Sequence, residues 1–300
     1  MAIETPSDWL ARVARIDPGR ACLVSDERDL TYAELLALVT ERAGVLAHGI
    51  GRDEIRSVRV ALDSRSIVEL LAIQRAGGIP LPYLDTPPDV PVATAEGVAV
   101  CVATSGTSGT RKIVPLTYAS IAVSVKASRE RLGNDADDRW LLSLPLNHVG
   151  GLSVIWRSLE AGGAIIVAPF EASGSVIERH RPTIASMVPT MVRLLLDQNS
   201  LALAAAGLVL VGGAPLRADL WKEATEAGAR LIPTYGMTEA GSQVATLAPS
   251  DPRVAPGLVG RPLAGFKVSI VGSGGESLPA GEVGRVAIEG EALFSGYLGE

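Results

Sequence analysis

Cysteine is nearly missing. Cys22 and Cys101 are the only two among 300 residues, far apart and without metal-like spacing, so neither a disulfide framework nor a thiolate metal site is implied. Histidine is as scarce: His48, His148 and His180 are scattered along the chain, and no pair has zinc spacing. No apolar run approaches the ~18 residues of a membrane span. The opening MAIETPSDWLARVARIDPGR lacks the basic start and apolar centre of a signal peptide, and with so few cysteines this fits a reducing cytoplasm. Positive charge is not in excess either. A net charge of −6 disfavours nucleic acid or anionic membrane as a partner. Aromatic residues make up 4%, so each one raises the question of what it packs on.

Several familiar motifs are lacking as well. Counting from Gly106, the second glycine of a Walker A loop would fall on Arg111, and Lys112 is followed by Ile113 where that loop has Ser or Thr. The dinucleotide fingerprint GxGxxG is absent from the same stretch. A G-x-S-x-G elbow fails at Thr110.

What is present is ordinary globular material, 47% hydrophobic and 20% charged, long enough for two or three lobes. Thirty-two glycines fall at sharp boundaries, which is punctuation and not low complexity. Ser7 or Asp8 can cap a first helix, and Thr31, with Glu34 three residues on, caps a second. Strands are expected at Arg59 to Leu62 and Ile79 to Leu84, with a helix from Ser66 to Ala76 between them. Further on, strand and helix alternate: strands at Trp140 to Leu144, Ala164 to Ala168, Ile184 to Val188, Leu208 to Val211 and Leu231 to Pro233; helices at about Leu152 to Leu159, Gly174 to His180, Met191 to Asp197 and Ala218 to Ala227. This rhythm reads as α/β with largely parallel sheets. From Gly257 it changes to short strands separated by glycine turns, which suggests a small β-barrel. The expectation is two α/β lobes, about 1–165 and 166–250, followed by a barrel portion at 251–300.

Four strings carry chemistry. Thr104 to Thr110, TSGTSGT, holds only glycine and hydroxyl residues and runs into Arg111 and Lys112 between two apolar segments. Such a loop turns backbone N–H groups, hydroxyls and a lysine onto a polyphosphate, or it is a plain flexible linker. Thr234 to Glu239, TYGMTE, places an aromatic, a hydroxyl and a carboxylate together. These could stack on a base, meet a phosphate and hold Mg²⁺, or form a turn into a helix capped by Thr238. Gly212-Gly213-Ala214-Pro215 allows a flat ligand close to the backbone, or starts a helix. Leu144 to His148, LPLNH, sets one His among apolar residues, a pattern that is as often structural as functional.

TSGTSGTRK, TYGMTE, GGAP and PLNH, in this order with Gly284-Arg285 and Gly296-Tyr297 further on, resemble the adenylate-forming superfamily of acyl-CoA synthetases, luciferases and peptide-synthetase adenylation domains. The resemblance covers essentially the whole chain. Where relatives have Pro-Lys-Gly after the loop this chain has Arg111, Lys112 and Ile113, and Asn147 replaces an aromatic. The resemblance implies an ATP and AMP site made of Thr104, Ser105, Gly106, Thr107, Ser108, Gly109, Lys112, Gly213, Ala214, Pro215, Tyr235, Gly236, Met237 and Thr238. Tyr235 would stack on the base, Thr238 would contact the α-phosphate and Glu239 would bind Mg²⁺. Lys112, Thr238 and Glu239 would be the catalytic residues.

An acyl pocket would take His148, Gly150, Gly151, Arg157, Val188, Gly212 and Gln243. In detail the chain is most similar to the o-succinylbenzoate-CoA ligases of menaquinone synthesis, in some of which the Arg of a Trp-Arg pair binds a substrate carboxylate. Trp156-Arg157 fits that pattern. Against it, helical periodicity puts Leu152, Ile155, Trp156 and Leu159 on one face and Arg157 opposite, which reads as a solvated arginine. The implied ligands are a small carboxylic acid, ATP with Mg²⁺, and CoA; fatty and aryl acids stay open, and no oligomeric state follows. Relatives continue into a hinge and a C-terminal lobe with the adenylating lysine and the CoA surface. That lobe is absent here, so the polypeptide reads as the large N-terminal domain of an acid-CoA ligase, or as a nucleotide or acyl-adenylate binding module with little turnover.

Overall fold

The computed structural model describes residues 4–90, 96–105, 111–251, 253 and 255–299. The chain opens with α1 (Pro6–Ile16), β1 (Ala21–Val24), β2 (Leu30–Thr31) and α2 (Tyr32–Leu46). Thr5, two residues before the expected cap, closes a capping box with Asp8, and Pro6 fills the first helical position. Thr31 and Glu34 form the second capping box as expected.

Next come β3 (Ile55–Arg59), α3 (Ser64–Arg75), β4 (Ile79–Tyr83), β5 (Val98–Ser105) and β6 (Arg111–Thr117). The strand expected at Arg59 to Leu62 lies four residues earlier, because Ile55 to Arg59 pair in parallel with Ile79 to Tyr83. β5 and β6 form an antiparallel pair in which Thr104 faces Lys112 and Ser105 faces Arg111, with β4 alongside.

The third stretch runs α4 (Tyr118–Leu132), β7 (Arg139–Leu142), α5 (Val149–Ala161), β8 (Ala164–Val167), α6 (Ser173–His180), β9 (Ile184–Met187), α7 (Pro189–Ala205), β10 (Leu208–Val211) and α8 (Ala218–Glu226). α7 continues well beyond Asp197, where the sequence suggested an end. Last come β11 (Leu231–Met237), β12 (Ser242–Thr246), β13 (Arg261–Pro262), β14 (Phe266–Val271) and β15 (Arg285–Gly290).

Nine strands make one sheet in the order β13-β12-β11-β10-β9-β7-β8-β1-β2. The inner six, β11 to β1 in that order, are parallel, and antiparallel pairs finish both edges. This sheet takes strands from both sides of the boundary expected near 165, which falls inside β8. Four-residue strands such as Ala164–Val167 and Ile184–Met187 are buried throughout, as parallel strands covered on both faces must be. Beyond Gly257 the described strands form one antiparallel pair, β14–β15, while β13 extends the large sheet. No helix among the described residues is long and apolar enough to cross a membrane.

Candidate active site

β11 runs four residues past its expected end because β12 pairs with it. The register slips between Tyr235 and Gly236, which brings Gly236 opposite Gln243 and Met237 opposite Ser242. A Cβ on residue 236 would overlap the Ser242 carbonyl oxygen, so the two backbones can approach this closely only with glycine there. Ser242 itself takes φ of 122°, a conformation that residues with a side chain rarely adopt and that tends to occur at ligand sites. A single 3₁₀ turn, Thr238–Ala240, follows β11.

These strand ends border a cleft of about 570 Å³. It opens beyond the carboxyl ends of β7, β9, β10 and β11, the usual ligand position in an open α/β sheet. Of the residues expected in a site, His148, Gly150, Arg157, Val188, Gly212, Gly213, Gly236, Met237, Thr238 and Gln243 all line this one cleft. Gly151 is buried and does not line the cleft; an added Cβ there would overlap the Pro145 carbonyl oxygen. Ala214 and Pro215 are exposed next to Gly213. Tyr235 stands between two lining residues, Thr234 and Gly236, and does not itself line the cleft. Thr104 and Lys112 lie apart from the cleft on the β5–β6 pair, where the Thr104 hydroxyl donates to the Lys112 carbonyl at 3.3 Å. Ser105 ends β5; Gly106, Thr107, Ser108 and Gly109 lie outside the described residues.

Arg157 corrects the periodicity argument. It is 2% exposed, because α5 is enclosed by α1 and α4 as well as by the sheet, so its polar-looking face is not a solvent face. Its guanidinium lies 5.5 Å from the centre of the Trp140 ring, and Nε and Nη2 have no hydrogen-bond partner. Burial without a counter-charge pushes its pKa down to about 9. A buried cation with two idle donors on a cleft wall is set to receive an anion.

Gln243 is different. Its Oε1 accepts from Ser128 at 2.6 Å, and its Nε2 donates to the Thr246 hydroxyl at 2.7 Å. The amide therefore orders the cleft wall through internal bonds. His148 lines the cleft, and partial burial lowers its pKa, which keeps the imidazole neutral at pH 7.

A second cluster forms around Glu239, the residue after the lining Thr238. The Tyr297 hydroxyl donates to Glu239 Oε1 at 2.8 Å, and Lys112 Nζ sits 4.3 Å above the Tyr297 ring centre. Among the described residues no group of three or more His, Cys, Asp or Glu could hold a metal. One partly exposed carboxylate still suits Mg²⁺, which keeps several waters and is held by one or two carboxylates together with substrate phosphates. Ser153, Ser186, Met187, Met191 and Ser242 also line the cleft and were not foreseen, as does Thr234, which opens TYGMTE but was given no role. Ser186 had a signal, as a polar residue inside the apolar strand IASM.

Residues 81–298 match the family model described as AMP-binding enzyme. The 2-succinylbenzoate–CoA ligase of Enterococcus faecalis is 34% identical over 210 residues, covering 68% of this chain and 43% of that protein. The enzyme of the same name from Lactococcus lactis is 36% identical over 211 residues, 68% of this chain and 45% of that protein. The chain thus spans less than half the length of these curated relatives. In fold it resembles the o-succinylbenzoate coenzyme A synthetase of Bacillus subtilis in complex with AMP, with a TM-score of 0.85 at 23% identity over 97% of this chain and 89% of that one. The N-terminal subdomain of Klebsiella oxytoca NpsA, in complex with 3-hydroxyanthranilyl-AMSN, gives 0.85 at 20% identity, covering 99% and 88%.

Proposed function

The chain belongs to the AMP-binding enzyme family, and from that premise we propose that it activates a carboxylic acid with MgATP as part of an acid-CoA ligase, with o-succinylbenzoate as the acid. The substrate carboxylate oxygen attacks the α-phosphorus of ATP, the bond to the bridging oxygen breaks, and pyrophosphate leaves with that electron pair. The thiol of CoA then attacks the acyl carbon and AMP departs. An ionised carboxylate needs no general base, which suits a neutral His148 on the cleft wall. Thr238, on the cleft wall, would donate to the α-phosphate, and Lys112 would meet the charge of the polyphosphate. When bound, magnesium offsets the charge of the leaving pyrophosphate, and Glu239 would hold it.

One observation carries the choice of acid: Arg157 is buried on the cleft wall with Nε and Nη2 unpartnered. A fatty tail would leave that cation desolvated and alone, whereas a dicarboxylic acid supplies the missing charge. The two buried free cysteines agree with a cytoplasmic setting. The test is calorimetric binding of non-hydrolysable sulfamoyl adenosines carrying an o-succinylbenzoyl or a fatty acyl group. Tight binding of the first alone is expected. Tight binding of only the fatty analogue would move the chain to other acids, and binding of neither would end the adenylation reading.

A further inference from the structure

The resemblance assigned no role to the last turn of the described chain, yet that turn is tied into the nucleotide cluster at four points. The Phe294 amide donates to the Glu239 carbonyl at 2.8 Å, and the Leu298 amide donates to the Ile113 carbonyl at 2.9 Å. Between those two anchors, Tyr297 gives its hydroxyl to Glu239 Oε1 at 2.8 Å and its ring face to Lys112 at 4.3 Å. Phe294 packs edge-on against the same ring, with centres 4.9 Å apart, which fixes the ring plane. One side chain therefore touches both the carboxylate and the lysine assigned to the metal and the phosphates.

We propose that Tyr297 is a positioning residue that sets Glu239 through its hydroxyl and Lys112 through its ring, so that 294–298 is a working part of the MgATP site. This deepens the proposed function and rests on it. The phenol occupies Oε1 and leaves Oε2 as the oxygen that turns to the metal, since a carboxylate held by one charge-assisted bond loses its rotational freedom. The ring face attracts the ammonium without neutralising it, which holds Lys112 in place while preserving its charge for phosphate.

The two contacts separate in mutants. Calorimetry would measure ATP affinity with and without Mg²⁺ for the parent chain, Tyr297→Phe, Tyr297→Leu, Glu239→Gln and Lys112→Ala. In Tyr297→Phe the gain in affinity on adding Mg²⁺ should shrink about tenfold, the scale of one hydrogen bond to a charged group, while Mg²⁺-free affinity stays at the parent value. Tyr297→Leu should show the same loss, plus a drop of about threefold without Mg²⁺. Glu239→Gln should resemble Tyr297→Phe. If Glu239→Gln and Lys112→Ala lose their respective affinities while both Tyr297 variants bind like the parent, the positioning role is overturned and the site stands. If the parent chain binds no MgATP, the nucleotide reading falls and this role falls with it. Equal losses with and without Mg²⁺ in Tyr297→Phe would indicate general loosening and also overturn the role.

Discussion

Replacing Arg157 by methionine should move stability and ligand choice in opposite directions. In the free protein the guanidinium is desolvated with no counter-charge, which holds its pKa at about 9. At roughly 1.4 kcal/mol for each tenfold change in proton affinity, that depression corresponds to about 5 kcal/mol of unfavourable burial. For a base lowered in the folded state, the unfolded chain binds more protons between about pH 9 and the ordinary arginine value. The penalty is therefore present in full at pH 7 and is relieved only as pH rises through that window. Replacing buried charges by apolar side chains of similar size returns only part of such a penalty, about 1 to 4 kcal/mol. Arg157→Met should accordingly raise the melting temperature of the ligand-free chain by roughly 5 °C. Binding should go the other way, with an o-succinylbenzoyl adenylate analogue losing about a hundredfold in affinity as a buried charged pair is forfeited. Differential scanning fluorimetry and calorimetry on the same samples test both arms. A variant less stable than the parent would refute the reasoning, since it would mean that the guanidinium already has a stabilising partner.

Gly236→Ala puts a methyl group into the Ser242 carbonyl; a loss of roughly 1 to 3 kcal/mol is expected, with weaker adenylate binding because the displaced strands line the cleft. An unchanged denaturation midpoint would count against that close approach. Gln243→Leu strands the Ser128 hydroxyl and leaves the Thr246 hydroxyl with Thr234 as its partner, and should cost about 1 to 3 kcal/mol in urea unfolding; Ser128→Ala combined with it should add less than its separate effect. Burial raises the thiol pKa of Cys22, and that of Cys101 to about 12, so a disulfide exchange reagent should label neither cysteine until the chain is unfolded.

Much of the site was readable because glycine, hydroxyl and charge occur together at few other places in the chain. The fold supplied what strings cannot. Periodicity placed Arg157 opposite an apolar stripe, but a stripe tells solvent from core only when one side of the helix is wet, and α5 has neighbours on every side. TYGMTE lay beyond the strand expected at Leu231 to Pro233, with a turn as one of its two readings. Its extended form comes from pairing with Ser242 to Thr246, a long-range bond that local residues do not announce. β3 was displaced for a similar reason, since parallel pairing with Ile79 to Tyr83 chose among adjacent apolar candidates. The cap at Thr31 was legible because a cap is a local hydrogen bond.

The placing of β1 bears on how the chain comes to be folded. Leu23 and Val24 pair in parallel with Ile165 and Ile166, so this strand meets its inner neighbour only after some 140 further residues have been added. Until then Cys22-Leu23-Val24 is an apolar edge with β2 alone beside it, and edges of that kind invite pairing with other chains. Assembly of the large sheet is thus gated by the arrival of β8. A nascent chain halted before Ala164 should be held by chaperones or aggregate, while one halted just beyond Val167 can close that edge and leaves β7, which waits for β9, as the next one open.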